Sequence, residues 1–454
     1  TAMADEFGPE ERRYARENLV MVPAAQVEIG MFVAELDRPW IETPFLIQGF
    51  EVRDHSQIRT LTHYCRHVFV LKEGESPKTS APVTKSLAPS IPMKRYAWEV
   101  ASGTRVKAEK LTERRSRAEK PAVRSRPAYI ANKPVRLEHE VARRVLDAGR
   151  VNIKRLLQAA HAGQMLDTQA AEQTVAGCVA TILANPEALL WMTKIKHRNE
   201  YTAEHCLNVC VLAIAFGRHL RVEERDLHLL GLCGLLHDVG KMRIPAAILD
   251  KPGRLTEAEF AVMKGHTVAG HELLQETADN LHELALDVAL NHHERPDGGG
   301  YPHGLGAREI SEFSRIIAIV DAYDAITSNR CYAPEQPSAE ALKIIFENRG
   351  TQFDEKLALH FLQAIGSYPP GTIVELRNGM AGIVLAGKPK FRHLPTVLLL
   401  RDAAKQPMEE RTVELDLTDT GRLAKEFLIR RTHPDGAFGL SVRDYRVREE
   451  PVFL

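Results

Sequence analysis

Residues 226–242 read DLHLLGLCGLLHDVGKM. Apolar residues recur here at three- and four-residue spacings, the pattern of a helix that turns one face to a core. The run ends in an adjacent imidazole and carboxylate, His237 and Asp238, with Lys241 one turn later. Charge carried inward on such a stripe is costly unless it is neutralised. The partners must therefore come from other segments.

The same period continues from about 135 to 365, through VARRVLDAGRVNIKRLLQAA, QTVAGCVATILANPEALLWM, HCLNVCVLAIAFGRHL, EFAVMKGHTVAGHELLQ and ISEFSRIIAIVDAYDAIT. Metal-competent side chains recur in these separate helical segments: His205, His266, the pair His292-His293, and Asp321. A single histidine in such a stripe is more often a satisfied core residue than a ligand. Five in one domain, with two aspartates, are more economically explained by convergence on metal. Seven side chains exceed what one tetrahedral zinc uses, and no cysteine stands at zinc-finger spacing. They suit two ions bridged by one carboxylate, with positions left for water. Mixed imidazole and carboxylate donors favour iron or manganese, with zinc or nickel as alternatives. Two ions about 3.5–4 Å apart are a known device for in-line phosphoryl chemistry.

HDVGK at 237–241 and HHERPDGGGYP at 292–302 resemble the HD-GYP phosphodiesterases, a branch of the HD metal-dependent phosphohydrolases. The resemblance spans roughly 195–335 with the ligand segments in matching order. It implies an all-helical bundle that hydrolyses cyclic di-GMP to pGpG, GMP or both by a two-metal mechanism with a bridging hydroxide. Carried over by position, it places His205, His237, Asp238 and Asp321 around one metal. Asp238, His266, His292 and His293 surround the second, with Asp238 bridging. His237, Asp238 and Lys241 form the catalytic group. Lys241 holds a phosphate oxygen as a point charge, Arg330 contacts the ligand phosphate, and Arg295, Gly300, Tyr301 and Pro302 complete the substrate-binding set. Asp324, one turn after Asp321, reads as an orienting partner or a helix-surface group.

Departures from the family pattern sharpen these expectations. Members with a third metal have glutamate four residues before the first histidine, where this chain has Tyr201; Glu200 and Glu204 fall on other helix faces. Two metals are therefore expected. Asn199 stands where many relatives have aspartate, Ala333 replaces a basic residue, and Gly299 replaces a common serine. Two other functions stay open: an HD-type phosphohydrolase of another cyclic dinucleotide or nucleotide, and a weakly active adaptor that binds GGDEF-domain proteins.

At 454 residues the chain is long enough for two to four domains. The pattern predicts a mainly α multi-domain protein. A small α+β domain over 1–75 resembles the DUF3391 type, and a basic Pro/Ser-rich linker follows over 76–134. The helical metal-binding domain covers 135–366, and a small β-rich domain covers 367–454. In the last, GTIVELRNGMAGIVLA reads as a hairpin at Asn378-Gly379, PTVLLLRD and RTVELDL as strands, and LIRRTHPDGAFGL as a hairpin with basic edge residues. Lysine plus arginine equals aspartate plus glutamate at 60 each, so charge gives no case for polymeric nucleic acid. No apolar run reaches the roughly 18–20 residues of a membrane span, and no signal-peptide core opens the chain. Six scattered cysteines without a Cys-x-x-Cys favour a reducing compartment. A cytoplasmic enzyme without membrane insertion is expected. Its partners are cyclic di-GMP and, as further candidates, GGDEF-domain proteins and a second copy of the chain. His197, His219, His228, His271, His282 and His303 read as surface or capping residues.

Overall fold

The helical period becomes helices, and turn chemistry decides where they stop. A computed structural model of the chain describes residues 19–37, 50–52, 55–71, 135–194, 201–278, 281–328, 335–388, 391 and 393–444. The linker expected over 76–134 lies outside them, as do Asn199, Glu200, His197, Arg330 and Ala333.

The described residues between 19 and 71 form one compact unit. Within it, β1 (Leu19–Pro23), β2 (Phe32–Leu36), β3 (Phe50–Glu51) and β4 (His67–Leu71) make an antiparallel sheet in the order β1-β4-β2-β3. Alternation along β4 buries Val68 and Val70. Helix α1 (His55–Tyr64) adds the buried Leu61 to the same small core.

The described residues between 135 and 444 form the second unit. It begins with α2 (Val135–His161), α3 (Thr168–Ala184), α4 (Pro186–Met192), α5 (Tyr201–His219) and α6 (Glu224–Leu236). It continues with α7 (Ala246–Leu249), α8 (Glu257–Lys264), α9 (His266–Thr277), α10 (Glu283–Asn291), α11 (Glu312–Ile326), α12 (Ser338–Glu347) and α13 (Glu355–Ile365). Side-chain caps open several of them: Asp167 accepts from Ala170 N–H at 2.9 Å, and Ser311 accepts from Ser314 N–H at 3.1 Å. Asn185, with Pro186 behind it, separates α3 from α4 within what reads as one apolar run. The run EFAVMKGHTVAGHELLQ likewise divides, at Gly265, which starts α9 on the buried His266. One core, including Leu146, Val175, Ile182, Leu207, Ile214 and Leu235, joins α2, α3, α5 and α6.

After α13 come β5 (Ile373–Leu376), β6 (Ala381–Ala386), β7 (Thr396–Arg401), β8 (Pro407–Glu414) and β9 (Ile429–His433), antiparallel in the order β8-β7-β6-β5-β9. The hairpin at Asn378-Gly379 and the two strands after it are present. LIRRTHPDGAFGL forms one strand and a 3-10 turn, with no second strand paired to it among the described residues. Its strand β9 pairs with β5 as a sheet edge, because Glu375 holds Arg431 at 2.7 Å, with Lys405 and His433 on the same carboxylate. One face of the sheet buries Trp191 of α4 among Ile373, Ile383, Leu398 and Leu400, so sheet and helices share a core. Among the described residues, no helix is long and apolar enough to cross a membrane.

Candidate metal centre

Helix α6 delivers His237 and Asp238 to the middle of the bundle, and both are buried. Asp238 Oδ2 lies 3.4 Å from His205 Nε2 on α5 and 3.3 Å from His237 Nε2. Its other oxygen, Oδ1, lies 3.3 Å from His266 Nε2 and 3.8 Å from His292 Nε2. Asp321 of α11 brings Oδ1 to 3.0 Å from His205 Nε2 and 3.9 Å from His237 Nε2. The rings of His292 and His293 are 4.1 Å apart, and His293 is 5.1 Å from His266. Two donor groups result, one of His205, His237 and Asp238, the other of Asp238, His266, His292 and His293, sharing the one carboxylate.

The imidazoles are held by their far nitrogens. His237 Nδ1 donates to Gly234 O at 2.8 Å, His266 Nδ1 to Met263 O at 2.7 Å, and His292 Nδ1 to Val288 O at 2.9 Å. A carbonyl only accepts, so Nδ1 carries the proton and Nε2 faces inward with its lone pair. His266 Nε2 and His292 Nε2 then confront each other at 3.4 Å. Two acceptors do not attract at that distance unless a cation lies among them. His237 Nε2 and Asp238 Oδ1 are also buried without a hydrogen-bond partner among the described residues. A divalent cation fits these residues: inward lone pairs, orphaned acceptors and anionic oxygens are the donor set such an ion takes.

Electrostatics agree. Burial disfavours the charged form of Asp238, yet Lys241 and the surrounding histidines hold its carboxyl well below the usual range. Asp321 is depressed in the same way, with burial outweighed by His205. At His205, burial is outweighed by Asp238, Asp321 and Asp324, and the ring is raised to about 10. Burial lowers His293 to about 3, helped by His266, so that ring is neutral. One half of the cluster calls for positive charge while the other offers neutral donors.

Lys241 Nζ donates to Asp238 Oδ2 from the 3-10 turn that follows the pair. Arg295 is engaged within its own loop, to Asp297 at 2.6 and 3.1 Å. The Tyr301 ring lies 4.8 Å from His293, and its peptide to Pro302 is cis. Of the three glycines, Gly298 supplies a left-handed φ of +75°. Gly300 permits the close approach, since a Cβ there would meet Arg295 N at 2.4 Å and Glu294 Cα at 2.5 Å. Tyr201 opens α5, its side chain outside the described residues. Glu204 turns to Arg150, 3.8 Å away.

Asp324 takes the first of its two readings. Its Oδ2 accepts from His205 Nδ1 at 2.8 Å, and its Oδ1 accepts from Asn208 at 3.1 Å. Asn208 carries no sequence signal; only its place one turn after His205 points to it. Glu294 was also not anticipated. Its buried carboxylate accepts from the backbone N–H groups of His303, Gly304 and Leu305 at 2.6, 3.1 and 2.9 Å. Glu294→Ala leaves three N–H groups unmatched and is expected to cost about 2–3 kcal/mol in urea unfolding. A loss under about 0.5 kcal/mol would show that the loop does not hang on this carboxylate. Among the remaining histidines, His282 caps α10 by accepting from Leu284 N–H at 3.1 Å, and His271 donates to Leu286 O at 3.2 Å.

A family model described as HD domain matches residues 180–357, and one described as a domain of unknown function, DUF3391, matches 19–171. The chain is 33% identical over 401 residues to cyclic di-GMP phosphodiesterase PA4108 of Pseudomonas aeruginosa, covering 87% of this chain and 89% of that protein. It is 35% identical over 172 residues to 3'3'-cGAMP-specific phosphodiesterase 3 of Vibrio cholerae, covering 38% and 37% of the two chains. Among solved structures, Bd1817, an HDG"Y"P protein from Bdellovibrio bacteriovorus, aligns at a TM-score of 0.42 with 15% identity, over 76% of this chain and 98% of that one.

Proposed function

The chain belongs to the HD-GYP phosphodiesterases that carry a DUF3391 domain, and from that membership we propose a cytoplasmic enzyme that hydrolyses cyclic di-GMP to pGpG, GMP or both at a two-metal site. The observation that carries the reading is Asp238, whose two oxygens face two separate histidine groups. His205, His237, Asp238 and Asp321 would hold one divalent ion, iron or manganese by donor type; Asp238, His266, His292 and His293 would hold the other. Such ions supply Lewis-acid charge and make water nucleophilic near neutral pH.

The chain's own residues do the rest. The Nδ1 hydrogen bonds hold the imidazoles with Nε2 aimed inward. Lys241, set against Asp238 at the edge of the cluster, would offer its ammonium to a phosphate oxygen once substrate enters. Arg295, with Arg330 from outside the described residues, adds positive charge for the substrate. The loop from Gly298 to Pro302 shapes the mouth beside His293. Water adds across one P–O3′ bond, and the 3′ oxygen leaves with a proton as the hydroxyl.

Incubating metal-loaded protein with cyclic di-GMP, anaerobically with iron or manganese, tests the reading. Formation of pGpG or GMP is expected; verified metal binding without product would refute it. The Vibrio cholerae relative is named for a different cyclic dinucleotide, which favours 3'3'-cGAMP as the second substrate to assay. GGDEF-domain proteins and a second copy of the chain are the proposed partners, to be sought by co-purification and by light scattering.

Asp324→Asn keeps size but loses the charge that fixes His205. It is expected to weaken metal affinity by about 10- to 100-fold. Metal titration followed by the Asp324→Glu rescue checks it, and unchanged affinity would remove Asp324 from the site.

A further inference from the structure

Helix α8 buries none of its side chains, yet it is fixed at both oxygens of one residue. Thr256 and Glu259 form a reciprocal capping box, and Lys251 Nζ reaches the two Glu259 oxygens at 2.8 and 2.6 Å. The helix adds nothing to the core and is still held in place, so its surface is what the fold keeps. That surface carries Phe260, 43% exposed, with Lys264 one turn on along the same face.

Both residues adjoin the metal centre. The Phe260 ring stands edge to face with Tyr301, centroids 6.4 Å apart and planes at 82°. Tyr301 in turn lies 4.8 Å from His293 and 6.5 Å from His266. Lys264 Nζ sits 5.4 Å from the Phe260 centroid and 5.9 Å from that of Tyr301. A row of rings therefore runs from the buried imidazoles to the surface, with a cation alongside its outer end. A cyclic dinucleotide carries two phosphates and two purines on one macrocycle. With one phosphate at the carboxylate–imidazole cluster, a base and the second phosphate must lie at the rim.

We propose that Phe260 and Lys264 form a substrate subsite in which the phenyl ring stacks on a purine and the ammonium pairs with the phosphate not being cleaved. The subsite rests on the cyclic dinucleotide reading of the metal centre. It recognises a base by its π face, so it sets affinity for purine dinucleotides more than it chooses between guanine and adenine.

The test compares wild type, Phe260→Ala, Phe260→Trp and Lys264→Ala, all metal-loaded, on cyclic di-GMP and on methyl p-nitrophenyl phosphate, a purine-free diester whose only ring is the leaving group. Phe260→Ala is expected to raise KM for cyclic di-GMP about tenfold with kcat within about twofold. Lys264→Ala should raise KM about fivefold. Phe260→Trp should retain wild-type KM, and its added indole fluorescence should be quenched by cyclic di-GMP. Neither alanine variant should change turnover of the purine-free diester. An unchanged KM in both alanine variants, or a parallel loss on both substrates, overturns the subsite alone. Wild type that cleaves the small diester but not cyclic di-GMP overturns the substrate reading, and the subsite falls with it.

Discussion

Asp238→Asn is expected to strip the protein of bound divalent metal and to lower diesterase turnover by at least about a thousandfold, with the helical bundle still folded. Among the described residues, Asp238 alone belongs to both donor groups: Oδ1 looks to His266 and His292, Oδ2 to His205 and His237. The amide keeps the volume but replaces one anionic oxygen with an NH2, which cannot donate a lone pair to an ion. It also removes the charge against which Lys241 is set. Metal analysis on protein purified without chelator or air gives the first readout, and turnover of cyclic di-GMP the second. Far-UV circular dichroism separates loss of the site from loss of the fold. Full metal content with near-normal turnover would show that Asp238 joins no metals. The same metal analysis on wild type counts the ions, and three fully occupied sites would refute the expectation drawn from Tyr201.

The second large effect is expected at a residue that binds nothing. Gly240, in the turn after the His-Asp pair, lies against the start of α9. A Cβ there would come within 2.0 Å of His266 O and 2.3 Å of Gly270 N. Both are backbone atoms, so no side-chain rotation relieves the clash; the turn and the helix must part. Gly240→Ala is expected to destabilise the domain by more than about 3 kcal/mol in urea unfolding and to release the metal held by His266. Gly270→Ala is the internal control. Its Cβ would stand 3.2 Å from Gly240 N, a contact that a small shift accommodates, so a smaller loss is expected. Equal effects of the two substitutions would show that approach distance does not govern this joint.

This joint also marks where reading the sequence stops. The helical period, the ligand segments and their inward direction are legible in the chain. Apolar stripes fix which residues face a core, and buried imidazoles and carboxylates need partners. Those two rules single out His205, His237, Asp238, His266, His292, His293 and Asp321. The sequence also marks the hairpin at Asn378-Gly379, where a local turn signal suffices. It reads as one helix where Gly265 divides α8 from α9, and as a hairpin where β9 pairs with β5 instead. Those outcomes depend on what each segment packs against, which no local period records.

The tertiary structure alone decided how the atoms are aimed. Asp324 orients His205 across a separation of 119 residues, and Glu294 gathers three N–H groups of the loop after it. Gly240 admits α9 to the distance at which His266 reaches Asp238. The sequence determined which chemistry gathers in the bundle, because burial of polar groups constrains residue type. The structure determined which nitrogen, which oxygen and which approach serve it, because hydrogen-bond direction and steric contact exist only between segments already folded together.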